Sequence, residues 1–192
     1  MMAQNFGAAT PIMRFYFLIF LVFTATVASG VHAEAIQPTE TRESSTNNHV
    51  GRQVEPFTAV AVSGADLSST DHKAKVLIIS LWGLNCGSCL DEMKAFEPIY
   101  KEFRGQGLKI WAVNTEDINA DEIQKGLRDR GMKLSYDLIP DPDLAITKIF
   151  TSWFIPVTVI VDSKGIVQYH KIGFNEKDAD IIKAKVGVLL AR

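Results

Sequence analysis

The feature that most constrains this chain is a junction. Val76–Trp82 (VLIISLW) is a compact apolar run rich in branched side chains. Across Gly83–Gly87 it gives way to a segment in which Leu90, Met93, Phe96, Ile99, Tyr100 and Phe103 recur at helical spacing. A strand with no polar alternation is buried on both faces and needs covering layers above and below it. A strand that feeds directly into a long amphipathic helix is the first half of a parallel crossover. The rest of the chain has to be consistent with that start.

Downstream, Lys109–Asn114 (KIWAVN) reads as a second buried strand, reached after Gly105 and Gly107 end the helix. Pro98 inside the helical pattern predicts a kink. Asn119 with Glu122 three residues on forms a capping box for a helix to about Arg130, closed by Gly131. Ser135–Ile139 is a short extended piece, and Asp141–Pro142 opens a further predicted helix running to about Phe150. Val157–Val161 is a strand, Asp162–Gly165 a turn and Ile166–Ile172 the partner strand. Asn175 caps a last helix, Glu176–Leu190. Upstream, Phe57–Val62 with the turn at Gly64 predicts a short N-terminal hairpin. The order specifies an α/β domain: a mixed sheet flanked by helices, with an N-terminal β extension, over residues 54–192.

The N-terminus has a different character. Phe15–Ala28 is a continuous apolar run behind Arg14, and Val31–His32–Ala33 follows as a small-x-small pattern. The run is shorter than the ~20 residues a spanning helix needs, so residues 1–33 read as an export signal, with a retained membrane anchor as the alternative. Met13 makes a more ordinary signal start than Met1. Residues 34–53, polar and without apolar period, read as a flexible tether. Export places the domain outside the cytosol, where a cysteine pair can be oxidised and stay so. With a net charge of −2 and scattered Lys and Arg, the chain has no basic patch suited to nucleic acid.

There are two cysteines, Cys86 and Cys89, and they sit where the first buried strand ends and its helix begins. A bridge across two residues restricts an unfolded chain little, which favours chemistry over stapling. Free N–H groups and the helix dipole favour a thiolate at that helix terminus, and the thiolate is the attacking species in disulfide exchange. The spacing thus suggests Cys86 as nucleophile and Cys89, one turn in, as the resolving thiol. Zinc would need more ligands; His49 or His72 would have to help, and no second Cys pair exists, so no metal is expected. Asp91 and Glu92, early in the helix, read as solvated acids, and His170 as a surface histidine.

The stretch Val76–Lys94 (VLIISLWGLNCGSCLDEMK) resembles the active-site segment of the thioredoxin superfamily, especially its TlpA/ResA-like exported branch. Trp153–Gly165 (WFIPVTVIVDSKG) resembles that family's second signature, and Gly107–Asp117 with the capped helix after it resembles the branch's central helical insertion. The resemblance spans about Val54 to Leu190 and implies a thioredoxin-like fold. It implies that Pro156 is a cis-proline facing the cysteines, with the backbone of Ile155 offered to an extended substrate. It also places an acid for proton transfer at Glu116 or Asp117. Trp153 is expected to form an apolar lip beside the pair, whereas Phe154 reads as core. The implied function is a periplasmic thiol–disulfide oxidoreductase, on the inner membrane if tethered. It would reduce protein disulfides, as in cytochrome c maturation, with electrons from a membrane-bound donor and not from a soluble cofactor.

Two departures stand out: Asn85 replaces the family's usual Trp before the first Cys, and Ser88 replaces the frequent Pro between the two. The alternative reading is a copper-delivery module of related fold, but such modules use a wider Cys spacing with a downstream His, for which only His170 is available. A peroxidase is the third, but Leu84–Asn85 lacks the Thr or Ser and the Pro that precede a peroxidatic Cys.

Overall fold

The computed structural model describes residues 49–71, 74–150 and 152–192. The expectations for residues 1–48, and for His72, lie outside the described residues. Two short strands, β1 (Thr58–Val60) and β2 (Asp66–Ser68), pair antiparallel as the expected hairpin, with Gly64 in the left-handed region at φ +85°. The main sheet has five strands: β3 (Val76–Trp82), β4 (Leu108–Asn114), β5 (Asp137–Pro140), β6 (Val157–Asp162) and β7 (Val167–Ile172), in the order β5-β4-β3-β6-β7. β4 runs parallel to β3 and to β5, whereas β6 runs antiparallel to β3 and to β7. This is the mixed sheet the element order demands.

Three helices supply apolar faces to one side of it. They are α1 (Gly87–Phe103), α2 (Ala120–Asp129) and α3 (Glu176–Leu190). Met93, Phe96, Ile123, Leu127, Ile182 and Val186 pack there with Ile78, Trp82, Ile110 and Ile160. The opposite face packs Leu77, Ile79, Leu81, Val113 and Val159 against Phe150, with Val54 and Phe57 of the N-terminal segment over them. Every residue of β3 is buried because both faces are covered, which is why its sequence shows no alternation.

Local chemistry fixes the helix ends. Asn119 and Asn175 both cap with complete capping boxes, reciprocated by Glu122 and Asp178. α1 continues through Pro98 and ends in a 3-10 turn, Arg104–Gln106, before Gly107 at φ +108°. One expected helix is absent. Between Asp141 and Phe150 only Thr147–Phe150 is helical, and that is a 3-10 turn. Leu144 takes φ +56°, which an α-helix cannot contain, and the Asp141 carboxylate accepts from the Ile146 and Thr147 amides and the Thr147 hydroxyl. A side chain that satisfies the local backbone in this way competes with helix formation.

Candidate active site

The site lies at the C-terminal end of β3 and the start of α1. Cys86 is the N-cap of α1, with extended backbone (φ −104°, ψ 103°), and the Cys89 amide donates to its Sγ at 3.2 Å. The two cysteines are joined as a disulfide, with Cα atoms 5.2 Å apart. Their surroundings are unequal. Cys86 is partly exposed and Ser88 Oγ lies 3.6 Å from its Sγ, whereas Cys89 is 0% exposed and packed into the core with Met93 and Phe96. Cys86 stands outside the helix proper, as its extended N-cap, whereas Cys89 lies in the first turn on the face that packs into the core.

The loop that carries Cys86 is held from outside. Glu116 accepts the Leu84 amide at 2.8 Å, and the Asn85 and Asn114 side-chain amides approach its carboxylate at 3.5 and 3.4 Å. The absence of a side chain at Gly83 makes room for this: a Cβ there would lie 3.1 Å from Ile155 Cδ1 and 3.3 Å from the Glu116 carboxyl group. α2 closes the other flank. Gly126 lets Leu84 nest against the helix, where a Cβ would come within 2.6 Å of its methyl carbon, and Arg130 reaches Asn85 Oδ1 at 3.5 Å. Asp117, next to Glu116, is exposed. The Ile155–Pro156 peptide bond is cis, Pro156 is buried, and Ile155 packs in the same cluster as Cys86. Ahead of that bond, Trp153 is 93% and Phe154 71% exposed. Phe154 therefore is not the core residue its character suggested. Ser152 ties the turn by donating to the Phe154 carbonyl and accepting the Phe154 amide, and the ring stands outside that turn.

The residue that pattern reading misplaced is Glu92. It is completely buried, one helical turn beyond Cys89 on the inward face of α1. Its carboxylate takes hydrogen bonds from Ser80 Oγ at 2.6 Å and from Thr158 Oγ1. Ser80 and Thr158 are cross-strand partners on β3 and β6. Burial pushes the Glu92 carboxyl up to about 7, against the pull of those two hydroxyls and with a further upward push from Asp178. A carboxyl whose proton affinity is raised toward neutrality, three residues along the helix from a buried cysteine, has the chemistry for proton transfer. The signal was in the strands: Ser80 and Thr158 are lone hydroxyls in otherwise apolar runs, and such hydroxyls need a buried partner.

His170 is also not a free surface residue. It is half-buried, its ring centroid 5.0 Å from that of His49, and it lies on the sheet face opposite the cysteines, where His49 also meets Phe150. Burial holds both imidazoles below their ordinary value, helped at His49 by Arg52 and at His170 by His49. A copper site built from the Cys pair and His170 therefore has no geometry here. Among the described residues no three His, Cys, Asp or Glu side chains converge as a metal shell.

Comparison with known proteins agrees with this layout. The chain is 27% identical over 128 residues to the thiol-disulfide oxidoreductase ResA of Halalkalibacterium halodurans, covering 66% of this chain and 71% of that protein. It is 28% identical over 123 residues to the thioredoxin-like protein YneN of Bacillus subtilis, covering 64% and 71%. Among solved structures, a putative thiol:disulfide interchange protein DsbE from Chlorobium tepidum superposes with TM-score 0.66 at 18% identity, over 73% of this chain and 97% of that one. StoA from Bacillus subtilis superposes with TM-score 0.58 at 21% identity, over 69% and 97%. The AhpC/TSA family model matches residues 50–170. The chain belongs to the AhpC/TSA family and is a thiol–disulfide oxidoreductase of thioredoxin-like fold.

Proposed function

We propose that the protein reduces disulfides of protein partners outside the cytosol, with Cys86 as the attacking thiolate and Cys89 as the resolving thiol. The observation that carries this assignment is the unequal exposure of the two sulfurs, one reachable at a helix N-terminus and the other fully buried beside a titratable acid. In the reduced protein, Cys86 thiolate attacks one sulfur of the partner's disulfide, forming a mixed disulfide and releasing the partner's other sulfur as thiolate. Cys89 gives up its proton and attacks Cys86 Sγ. The Cys86–Cys89 bond forms, the second partner thiolate leaves, and the partner has gained the two electrons that this protein lost. The helix N-terminus favours the Cys86 thiolate in the first step.

Proton transfer in the second step falls to Glu92, which titrates near neutrality and shares the inward face of α1 with Cys89. Glu116 is instead occupied in holding the Cys86 loop through the Leu84 amide, and Asp117 is exposed. Ile155 and cis-Pro156 offer an extended partner its docking edge, with exposed Trp153 as the apolar lip. The export signal read in residues 1–33 supports a periplasmic setting, tethered to the inner membrane if that segment is kept. There a membrane-bound donor re-reduces the pair. Apocytochrome c and copper-site assembly proteins are the partner classes the family resemblance suggests. The family match does not carry the reading over to peroxide reduction, because Leu84–Asn85 lacks a hydroxyl residue and a proline ahead of Cys86.

Substituting Cys89→Ala tests the reading. The variant is expected to accumulate mixed disulfides through Cys86, identifiable by mass spectrometry, while Cys86→Ala accumulates none. Trapping by Cys86→Ala instead would reverse the roles, and rapid peroxide consumption with a thiol donor would replace the reaction.

A further inference from the structure

The Glu92 carboxyl does not stand alone on its face of the sheet. Thr158, which bonds it, is the cross-strand partner of Lys171 on β7, so both side chains leave the same face of the sheet. Lys171 reaches back to pair with Asp178, the third residue of α3, which is only 2% exposed. Asp178 is fixed by a second bond, from the Asn175 amide at 2.7 Å, and it sits at the positive end of α3. An ion pair with a buried carboxylate and a partly exposed ammonium thus lies across one strand from the acid one turn beyond Cys89. Nothing in disulfide exchange itself requires a buried charge on α3, and burying one is costly unless its partners are in place.

We infer that the Lys171–Asp178 pair sets the protonation state of Glu92: Asp178 holds the proton on Glu92, and Lys171 limits how strongly it does so. Both act as positioning residues for the exchange reaction, since neither touches the cysteines. The groups facing Glu92 are few. Cys89 lies on its own helix, Ser80 and Thr158 on β3 and β6, Lys171 and Tyr169 on β7, Asp178 on α3, and the buried Tyr136 beside α1, its hydroxyl bonded to the Met93 carbonyl. The surroundings of Tyr169 bear out the proximity: burial, with the Asp178 and Glu92 carboxylates adding to it, pushes its phenol up to about 12. Asp178 is the charged group that acts on Glu92, and Lys171 is the cation paired with it, so the sign is fixed. An anion favours the neutral acid, and the cation paired with that anion opposes it.

The inference rests on the proposed role of Glu92, but its test does not. The Glu92 side-chain carboxyl can be followed by carbon-13 NMR in the oxidised protein, where neither cysteine titrates. Asp178→Asn, which keeps an oxygen to accept the Asn175 amide, is expected to move the Glu92 midpoint down by about half a pH unit or more. Lys171→Met should move it up, and Lys171→Arg should restore the wild-type value. Midpoints that stay within ~0.2 pH unit of wild type, or that move in the same direction in the Asp178→Asn and Lys171→Met variants, would overturn the inference. The proposed role of Glu92 is read separately, from the pH–rate profile of the reduced enzyme in the same variants. Should the midpoint move while the profile stays fixed, proton transfer by Glu92 fails and the electrostatic coupling stands.

Discussion

Replacing Glu92 by glutamine isolates the cost of keeping a carboxyl inside this core. In the folded protein the group holds its proton up to about pH 7, against 4.5 in the unfolded chain. Between those values the folded state binds more protons than the unfolded state, so stability falls as pH rises through that window. At about 1.4 kcal/mol per pH unit, the displacement corresponds to roughly 3 kcal/mol lost by pH 8 relative to pH 4. Glutamine has nearly the same shape, accepts one of the hydroxyl bonds from Ser80 or Thr158, and cannot ionise. Urea unfolding of the oxidised proteins, followed by tryptophan fluorescence or circular dichroism, gives the comparison. Glu92→Gln and wild type are expected to be close at about pH 4.5, with the variant more stable by a few kcal/mol at about pH 8. A difference that does not vary with pH, or a variant less stable at the higher pH, would refute the argument that Glu92 is buried with a raised affinity for its proton. The same substitution should slow resolution of the mixed disulfide, so the gain in stability would come with a loss of activity.

Other outcomes follow from the same physics. His49 and His170 resist protonation in the folded state while the unfolded chain protonates near 6.5, so their contribution to stability falls as pH drops below that value. Because Glu92 works in the opposite direction, His170→Gln is best compared with wild type at each pH. Its urea midpoint should fall less between about pH 7.5 and 5.5, and an equal fall would remove the histidine pair from the account. Trp153→Ala with Phe154→Ala should leave stability within about 0.5 kcal/mol, since both rings are exposed. That double variant should raise KM for a protein disulfide while leaving reduction of a small disulfide such as oxidised dithiothreitol unchanged. An equal loss on both substrates would place the aromatics in the chemistry and not in docking.

Much of this fold can be read in residues 54–192 because the physical causes are local. β3 and β4 are buried on both faces, so their sequences are unbroken or nearly unbroken apolar runs. The capping boxes at Asn119 and Asn175 mark helix starts within one residue. Asp141–Phe150 misleads for an equally local reason: an Asp-Pro pair has two uses, and here the Asp141 side chain caps a turn that Leu144 closes in the left-handed region. At the site, the cysteines stand out by their spacing at a strand–helix junction, whereas the cis bond before Pro156 is expected only from the family resemblance. Glu92 is not, because an acid early in an amphipathic helix looks solvated until strands β3 and β6 are brought together and two isolated hydroxyls meet on it. Phe154 fails in the reverse sense, since nothing in its apolar character reveals that the turn before the cis bond holds it outward.

The central claim is that one sulfur is presented and the other withheld. Fully reduced protein exposed briefly to iodoacetamide, then digested and mapped by mass spectrometry across roughly pH 5 to 9, tests it directly. Alkylation is expected on Cys86 alone, already fast at pH values where an ordinary thiol reacts slowly, with Cys89 labelled only after denaturation. Labelling of Cys89 at a comparable rate, or a Cys86 profile no different from that of a free thiol, would contradict the account.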